Sequence, residues 1–241
     1  MQLGLLGEKL DYSFSETYFK EKFAKLNLAD HSYQNFEIPS IEDFPALLKK
    51  NPQLHGLNVT IPYKEEVLHY LDEISPEAEK IGAVNTILIK NRKLIGYNTD
   101  TYGFEHSLVP KLNSSHTKAL ILGTGGASKA ISYTLNKLGI ENIKVSRSPS
   151  KNQCSYKQAA TLLETHLLVV NSTPLGTYPN TEEIPPLALD KVSENHLFYD
   201  LIYNPMKSAL LVAAEGHGAQ IKNGYEMLIL QAEKAWQIWN D

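Results

Sequence analysis

The sequence predicts an α/β protein built as two α/β lobes with mostly parallel sheets. Two observations carry this. Short apolar runs alternate with helix-period patterns from end to end, and a second series of such units opens where the apolar run 118–122 enters a glycine-rich turn. The size agrees, since 241 residues with 42% hydrophobic and 21% charged side chains suffice for one large domain or two smaller ones, each with its own core.

Taken in order, residues 2–6 read as a buried strand. Ser15 is placed to cap a helix whose Phe19, Phe23 and Leu26 recur at helical spacing. A strand at 33–38 follows, and Ser40 with Asp43 resembles a capping box for a helix running to Lys50, with Pro45 in its first turns. Residues 54–59 form a third strand, and Pro62 suits the first turn of a following helix. Residues 83–89 and 93–97 flank Asn91-Arg92 as a hairpin. The second series has a strand at 118–122 and a helix through Leu138, then strands at 142–146, 167–171, 197–200 and 220–221. An amphipathic helix over 224–239, carrying Met227, Leu228, Gln231, Ala235 and Trp239, is expected to pack back on the first lobe. The domains expected are therefore 1–100 with 224–241, and 101–223.

Charge and composition narrow the partners. With 23 basic and 27 acidic residues the formal net charge is −4, so no global cationic field favours nucleic acid or an anionic membrane. A small molecule is the expected partner. The single Cys154 cannot form an internal disulfide, and the eight His fall in no metal-ligand spacing, so no metal is expected. The chain opens Met-Gln-Leu-Gly without a basic leader and holds no apolar run near the roughly 18 residues of a span, which reads as cytoplasmic.

The chemistry gathers in two places. Gly123, Thr124, Gly125, Gly126 and Ala127 link a strand to a helix, where glycines allow close backbone approach and the helix N-terminus offers amides to a pyrophosphate; Ser128 takes the third glycine position. At the end of the next strand stand Ser146, Arg147 and Ser148, with Lys151 nearby and no acid to hold a ribose 2′-hydroxyl. A guanidinium there pairs with a 2′-phosphate, which favours NADP over NAD. In the first lobe, Asn58-Val-Thr-Ile-Pro-Tyr-Lys64, Gly82-Ala-Val-Asn-Thr86 and Gly96-Tyr-Asn-Thr-Asp100 put Asn, Thr, Lys and Asp at strand ends. Singly, each has a structural explanation as a turn, a cap or a solvated charge; together they suit a polyhydroxylated ring.

By these motifs the chain resembles the shikimate dehydrogenases along its whole length. Further matching segments are Gly4-Leu-Leu-Gly7, Ser13-Phe-Ser15, Asn171-Ser-Thr-Pro-Leu-Gly176, Asp200-Leu-Ile-Tyr-Asn-Pro205 and Gly224-Tyr-Glu-Met-Leu-Ile-Leu-Gln231. The resemblance implies an N-terminal substrate-binding domain, a C-terminal Rossmann-type NADP-binding domain, a cleft between them, and NADP-dependent interconversion of 3-dehydroshikimate and shikimate. It implies a catalytic pair, Lys64 and Asp100. Lys64 would give or take the proton at the C3 oxygen, and Asp100 would orient it. A lysine that must start neutral has an ordinary pKa of about 10.4; burial and a cationic ring would lower it and a carboxylate would raise it. It also implies that Ser13 and Ser15 hold the ring carboxylate, with Thr60, Asn85, Tyr203 and Gln231 as further substrate contacts. Leu201 and Gly224 match cofactor contacts, and Thr173 and Gly176 are expected to line the cofactor cleft.

The chain departs from the family pattern at Tyr12 and Glu16, where relatives have His and Pro, at Ser146 in place of Asn, and at Thr177 in place of Met. Two rivals share most of the motifs: a quinate or broad quinate/shikimate dehydrogenase, and a non-catalytic sensor of shikimate-like ligands. Lys64 and Asp100 together argue against the sensor. A monomer or a homodimer is expected.

Overall fold

The computed structural model describes residues 1–10 and 13–241, which divide into two compact units, Met1–Thr99 with Ala232–Asp241, and Asp100–Gln231. Unit 1 contains β1 (Gln2–Gly7), α1 (Phe14–Lys25), β2 (Ser32–Glu37), α2 (Phe44–Lys50), β3 (Leu54–Val59), β4 (Glu73–Ile74), α3 (Pro76–Ile81), β5 (Thr86–Lys90) and β6 (Lys93–Tyr97). Its sheet runs β2-β1-β3-β5-β6-β4, with β5 alone antiparallel to its neighbours. Both faces are covered, as the unbroken apolar runs require. Leu3 and Leu5 pack with Phe19, Phe23 and Trp239, while Leu6, Leu57, Val59 and Ile87 pack with Phe44 and Leu47.

One antiparallel strand decides what this sheet presents. Because β5 opposes β3 and β6, its beginning lies beside their ends: Asn58 pairs with Thr86, and Thr86 with Tyr97. Asn58, Asn85, Thr86 and the 98–99 exit are thereby gathered at one edge. The β5–β6 turn has left-handed φ at both Asn91 (54°) and Arg92 (64°), the geometry of a two-residue hairpin whose twist matches its strands.

Unit 2 begins with α4 (Asp100–Leu108) and continues with β7 (Lys118–Leu122), α5 (Gly126–Lys137), β8 (Glu141–Ser146), β9 (Gln153–Ser155), α6 (Tyr156–Leu162), β10 (Leu168–Asn171), β11 (Leu197–Asp200), α7 (Ala209–Gly216), β12 (Gln220–Lys222) and α8 (Tyr225–Asn240). Its strands are parallel in the order β12-β11-β10-β7-β8-β9, which reverses between β7 and β10. That is the doubly wound dinucleotide-binding order, and ligands of such sheets lie outside the strand ends at the reversal. Phe104, Ile131, Leu135 and Met227 cover one face and Ala159, Leu163, Leu210 and Leu211 the other.

Four local expectations need correction. Ser13, not Ser15, caps α1, accepting from the Glu16 amide at 3.4 Å; Ser15 lies inside the first turn. Ser40 makes no capping bond and gives its hydroxyl to Glu42, so a short 3₁₀ turn, Ile41–Asp43, precedes α2. After β3 the chain makes turns, with a cis Ile61–Pro62 bond, and then a 3₁₀ helix, Glu66–Tyr70, where an α-helix was expected.

The fourth concerns α8. Only residues from Ala232 onward belong to unit 1, where Trp239 donates to the Ile87 carbonyl at 3.0 Å over Gly56, and Glu233 takes Lys22 at 2.7 Å. Residues 224–231, expected in the first lobe, belong to unit 2 because Gly103 of α4 admits the backbone of α8: a Cβ there would lie 2.5 Å from the Met227 carbonyl oxygen.

At the starts of β7 and β10, His116 and His166 are buried, and burial holds both below the ordinary histidine pKa. A histidine whose folded pKa is lowered contributes stability fully above its unfolded value near 6.5, and that contribution is lost as pH falls through this range. The thermal-midpoint difference between wild type and His116→Asn should therefore shrink as unfolding is followed from pH 7.5 down to pH 5.

Candidate active site

In unit 1 the gathered polar edge is a closed hydrogen-bond network. Tyr33, stacked on Phe19 and buried, donates to Asn58 Oδ1 at 2.8 Å. Asn58 Nδ2 donates to the Asn85 carbonyl at 3.3 Å and to Thr86 Oγ1 at 3.2 Å. Asn85 Oδ1 accepts the Thr99 amide at 2.7 Å and the Thr86 hydroxyl at 3.1 Å, while its Nδ2 donates to Thr99 Oγ1 at 3.0 Å. Asn85, Thr86, Asn98, Thr99 and Asp100 are all buried.

The same segment holds the backbone around Lys64 and Asp100. The Val84 amide donates to the Lys64 carbonyl at 2.7 Å, and Asn98 Nδ2 donates to the Ala83 carbonyl at 2.9 Å. Thr99, pinned by Asn85, leads directly into Asp100, the first residue of α4. Thr60 is tied to β1 through its amide, 2.9 Å from the Leu6 carbonyl oxygen. Ser13 and Ser15 occupy the start of α1, and the Ser15 hydroxyl is a side-chain partner of the Tyr33 phenol. Glu16, in place of the family's Pro, binds Asn35 at 2.8 Å. Tyr12 lies outside the described residues.

In unit 2 the glycine loop leaves β7 at the strand-order reversal. Gly123 has φ +108°, and a Cβ there would lie 2.9 Å from Ser172 Oγ, so only glycine fits. Gly125 is the N-cap of α5 with no side-chain cap, and nothing lies within 4 Å of where its Cβ would stand. Open space before uncapped helix amides is what a pyrophosphate needs. Ser128, in the third glycine position, is buried and turns its hydroxyl back to the Gly125 carbonyl at 2.7 Å, which tightens the loop. Thr124, Gly126 and Ala127 complete the turn.

At the end of β8, the Ser148 amide donates to Ser146 Oγ at 3.2 Å, folding the loop around an exposed Arg147. The Arg147 charge is felt at the Tyr156 phenol, which burial nonetheless pushes up. With no acid at this strand end, the donor set fits a 2′-phosphate.

The loops after β10, β11 and β12 meet beside the glycine loop. Gly224 fits only without a side chain, since its Cβ would fall 2.0 Å from the Leu201 carbonyl oxygen. Gly176 has φ +97°. Thr173 donates its amide (3.0 Å) and hydroxyl (2.7 Å) to Asn171 Oδ1. Thr177 reaches the Asn204 carbonyl at 3.4 Å, and burial pushes the Tyr203 phenol up. Gln231 lies on α8 where that helix meets α4 at Gly103, one turn after Asp100.

Sequence reasoning passed over Tyr33, Asn171 and Asp200 as site-shaping residues. A carboxylate closing the apolar strand Leu197-Phe-Tyr-Asp200 was the available signal for Asp200. Among the described residues no group of three or more His, Cys, Asp or Glu is placed to hold a metal, and no helix is long and apolar enough to cross a membrane.

A polar-edged α/β unit joined to a glycine-looped, doubly wound unit defines a two-domain α/β dinucleotide-binding protein. Comparison with known proteins narrows the class. A family profile described as shikimate dehydrogenase substrate binding domain matches residues 5–87. The chain is 40% identical over 247 aligned residues to an NADP(+) shikimate dehydrogenase of Clostridium botulinum (strain Hall), covering 98% of this chain and 95% of the relative. It superposes on shikimate dehydrogenase 1 of Peptoclostridium difficile with a TM-score of 0.86 at 39% identity, covering 100% and 91% of the two chains. Against a shikimate 5-dehydrogenase of Thermus thermophilus in complex with NADP(H) and shikimate, the TM-score is 0.87 at 30% identity, with 99% and 93% covered. The chain belongs to the shikimate dehydrogenase family.

The two loop glycines should respond differently to alanine. Gly123→Ala should cost about 1–2 kcal/mol of stability, measured by denaturant unfolding, from its left-handed backbone. Gly125→Ala should stay within about 1 kcal/mol of wild type yet bind a dinucleotide more weakly, because its methyl group enters only the open space.

Proposed function

We propose that this chain is an NADP-dependent shikimate dehydrogenase, which reduces 3-dehydroshikimate to shikimate reversibly in aromatic amino-acid biosynthesis. The observation that carries the reading is the polar edge of unit 1, where one segment, 83–86, holds the backbone of both Lys64 and the Thr99–Asp100 step. Unit 1 then serves the substrate and unit 2 the dinucleotide, with α8 shared between them. The buried, unpaired Cys154 suits a reducing, cytoplasmic setting for a monomer or homodimer.

NADP, when bound, supplies the hydride donor and acceptor. The chain's own residues bind, orient and move the proton. Lys64 as ammonium gives its proton to the C3 oxygen during reduction and steadies the negative charge growing there; in the reverse direction the neutral amine takes it back. Asp100 orients Lys64 and the ring hydroxyl from the first turn of α4. Ser13 and Ser15, at the start of α1, receive the ring carboxylate where helix amides favour an anion. Thr60, Asn85, Tyr203 and Gln231 hold the remaining ring oxygens. On the dinucleotide side, Gly123, Thr124, Gly125, Gly126 and Ala127 take the pyrophosphate, Ser146, Arg147 and Ser148 the adenosine 2′-phosphate, and Leu201 and Gly224 the nicotinamide end.

Following the nicotinamide absorbance while the protein oxidises shikimate, with quinate and with NAD in parallel, tests the reading. Turnover with shikimate and NADP supports it; preference for quinate, or shikimate binding without turnover, overturns it. Lys64→Ala should lower kcat by about 10²–10⁴ while shikimate still binds in a calorimetric titration. Arg147→Ala should raise KM for NADP by about tenfold or more and leave KM for NAD nearly unchanged, the signature of a lost charge-assisted bond to the 2′-phosphate.

A further inference from the structure

Asp200 and Asn171 close adjacent strands in register, and both are fully buried. Asp200 Oδ1 accepts Asn171 Nδ2 and the Ile202 amide, each at 3.0 Å, and Oδ2 accepts the Ser208 hydroxyl, whose oxygen also caps α7. Asn171 passes the connection on, because its Oδ1 takes both the amide and the hydroxyl of Thr173. Its carbonyl accepts the Leu201 amide at 3.0 Å. One carboxylate thus fixes the loops after β10 and β11 together. Gly224 then closes on that assembly, its amide donating to the Ile202 carbonyl at 3.0 Å.

Ending two strands needs no buried carboxylate. Burial pushes Asp200 up to about 6 even with its hydrogen-bond donors pulling the other way, so the fold accepts a desolvation cost at this point. What the carboxylate provides is a rigid acceptor with directed lone pairs, able to hold two loops in one geometry. Those loops carry Thr173 and Leu201.

We infer that Asp200 is a positioning residue for the dinucleotide: acting through Asn171 and the Ile202 amide, it sets Thr173 and Leu201 along the cofactor wall without touching the cofactor itself. The inference rests on the NADP reading above.

Calorimetric titration of NADPH and, separately, of shikimate into wild type and variants tests it. Asp200→Ala should weaken NADPH binding by about tenfold, the size of a misplaced hydrogen-bonded contact, and lower shikimate affinity by no more than about threefold, because Tyr203 is the one assigned substrate contact on the tethered loops. Asp200→Asn keeps an oxygen for Asn171 and Ile202 and should stay within about threefold of wild type. Asn171→Ala should match Asp200→Ala, and the double variant should lose no more than the weaker single one. NADPH affinity unchanged in Asp200→Ala, equal losses for NADPH and shikimate, or an Asn variant as weak as the Ala variant would each overturn the role. Should Asp200→Ala fail to fold, Asn171→Ala decides, since it cuts the tie to Thr173 while leaving Ile202 and Ser208 on the carboxylate; wild-type affinity there overturns the role. A wild-type protein that binds no NADPH removes the functional reading itself, a different result from wild-type binding with unaffected variants.

Discussion

The Asn85 side chain is the constraint on which the first unit's site depends. Its Oδ1 accepts the Thr99 amide at 2.7 Å, joining the start of β5 to the exit of β6. Without an antiparallel β5, the strand ends and the Asn85–Thr86 step would lie at opposite edges of the sheet. A wholly parallel sheet would have spared the hairpin but scattered these groups. That one amide fixes the backbone of Thr99, the last residue of the first unit before Asp100.

The second unit reaches a comparable result by different means. There the strands are parallel, so every loop of interest already lies at one edge, and the reversal between β7 and β10 opens the space. Shape is set by absent side chains: Gly123 accommodates Ser172, and Gly224 the Leu201 carbonyl. Arg147 stands exposed at the end of β8, where an acid would favour an unphosphorylated ribose. The first unit builds with buried amides and hydroxyls, the second with bare backbone, which matches a ring of several hydroxyls on one side and a pyrophosphate on the other.

Much of this was legible in the sequence, and the misses share a cause. Apolar runs, the glycine loop and the Arg147 strand end are local signals, and they carried the α/β class and the nucleotide unit. Ser13 and Ser15 are both competent caps by residue type, and the local sequence does not say that the helix starts after Ser13. Pro62 reads as a helix start by composition, but the chain turns there instead. The division of α8 depends on Gly103 meeting Met227 across more than a hundred residues, a contact no local pattern encodes. Tyr33, and the bridging role of Asp200, stayed hidden because each looks like a strand residue until its buried partner is known.

Both networks consist of buried polar groups satisfied by one another. Burying an amide or hydroxyl without a partner costs on the order of a few kcal/mol, while each paired bond returns only about 1 kcal/mol net. Such a network is therefore a poor source of stability, and an apolar edge would hold the strands as well. Its use lies in the asymmetry. Few alternative arrangements leave every donor and acceptor paired, so the backbone around Lys64, Thr99, Thr173 and Leu201 is held to one geometry even though each sits in or beside a loop. Hydride transfer at one carbon with proton transfer at its oxygen requires that degree of placement, because a misplacement of about 1 Å can cost a hundredfold in rate. The stabilising work is left to the apolar faces behind the edge, Leu6, Leu57 and Ile87 in one unit and Leu120, Val169 and Phe198 in the other. This separation lets site and core answer to different demands.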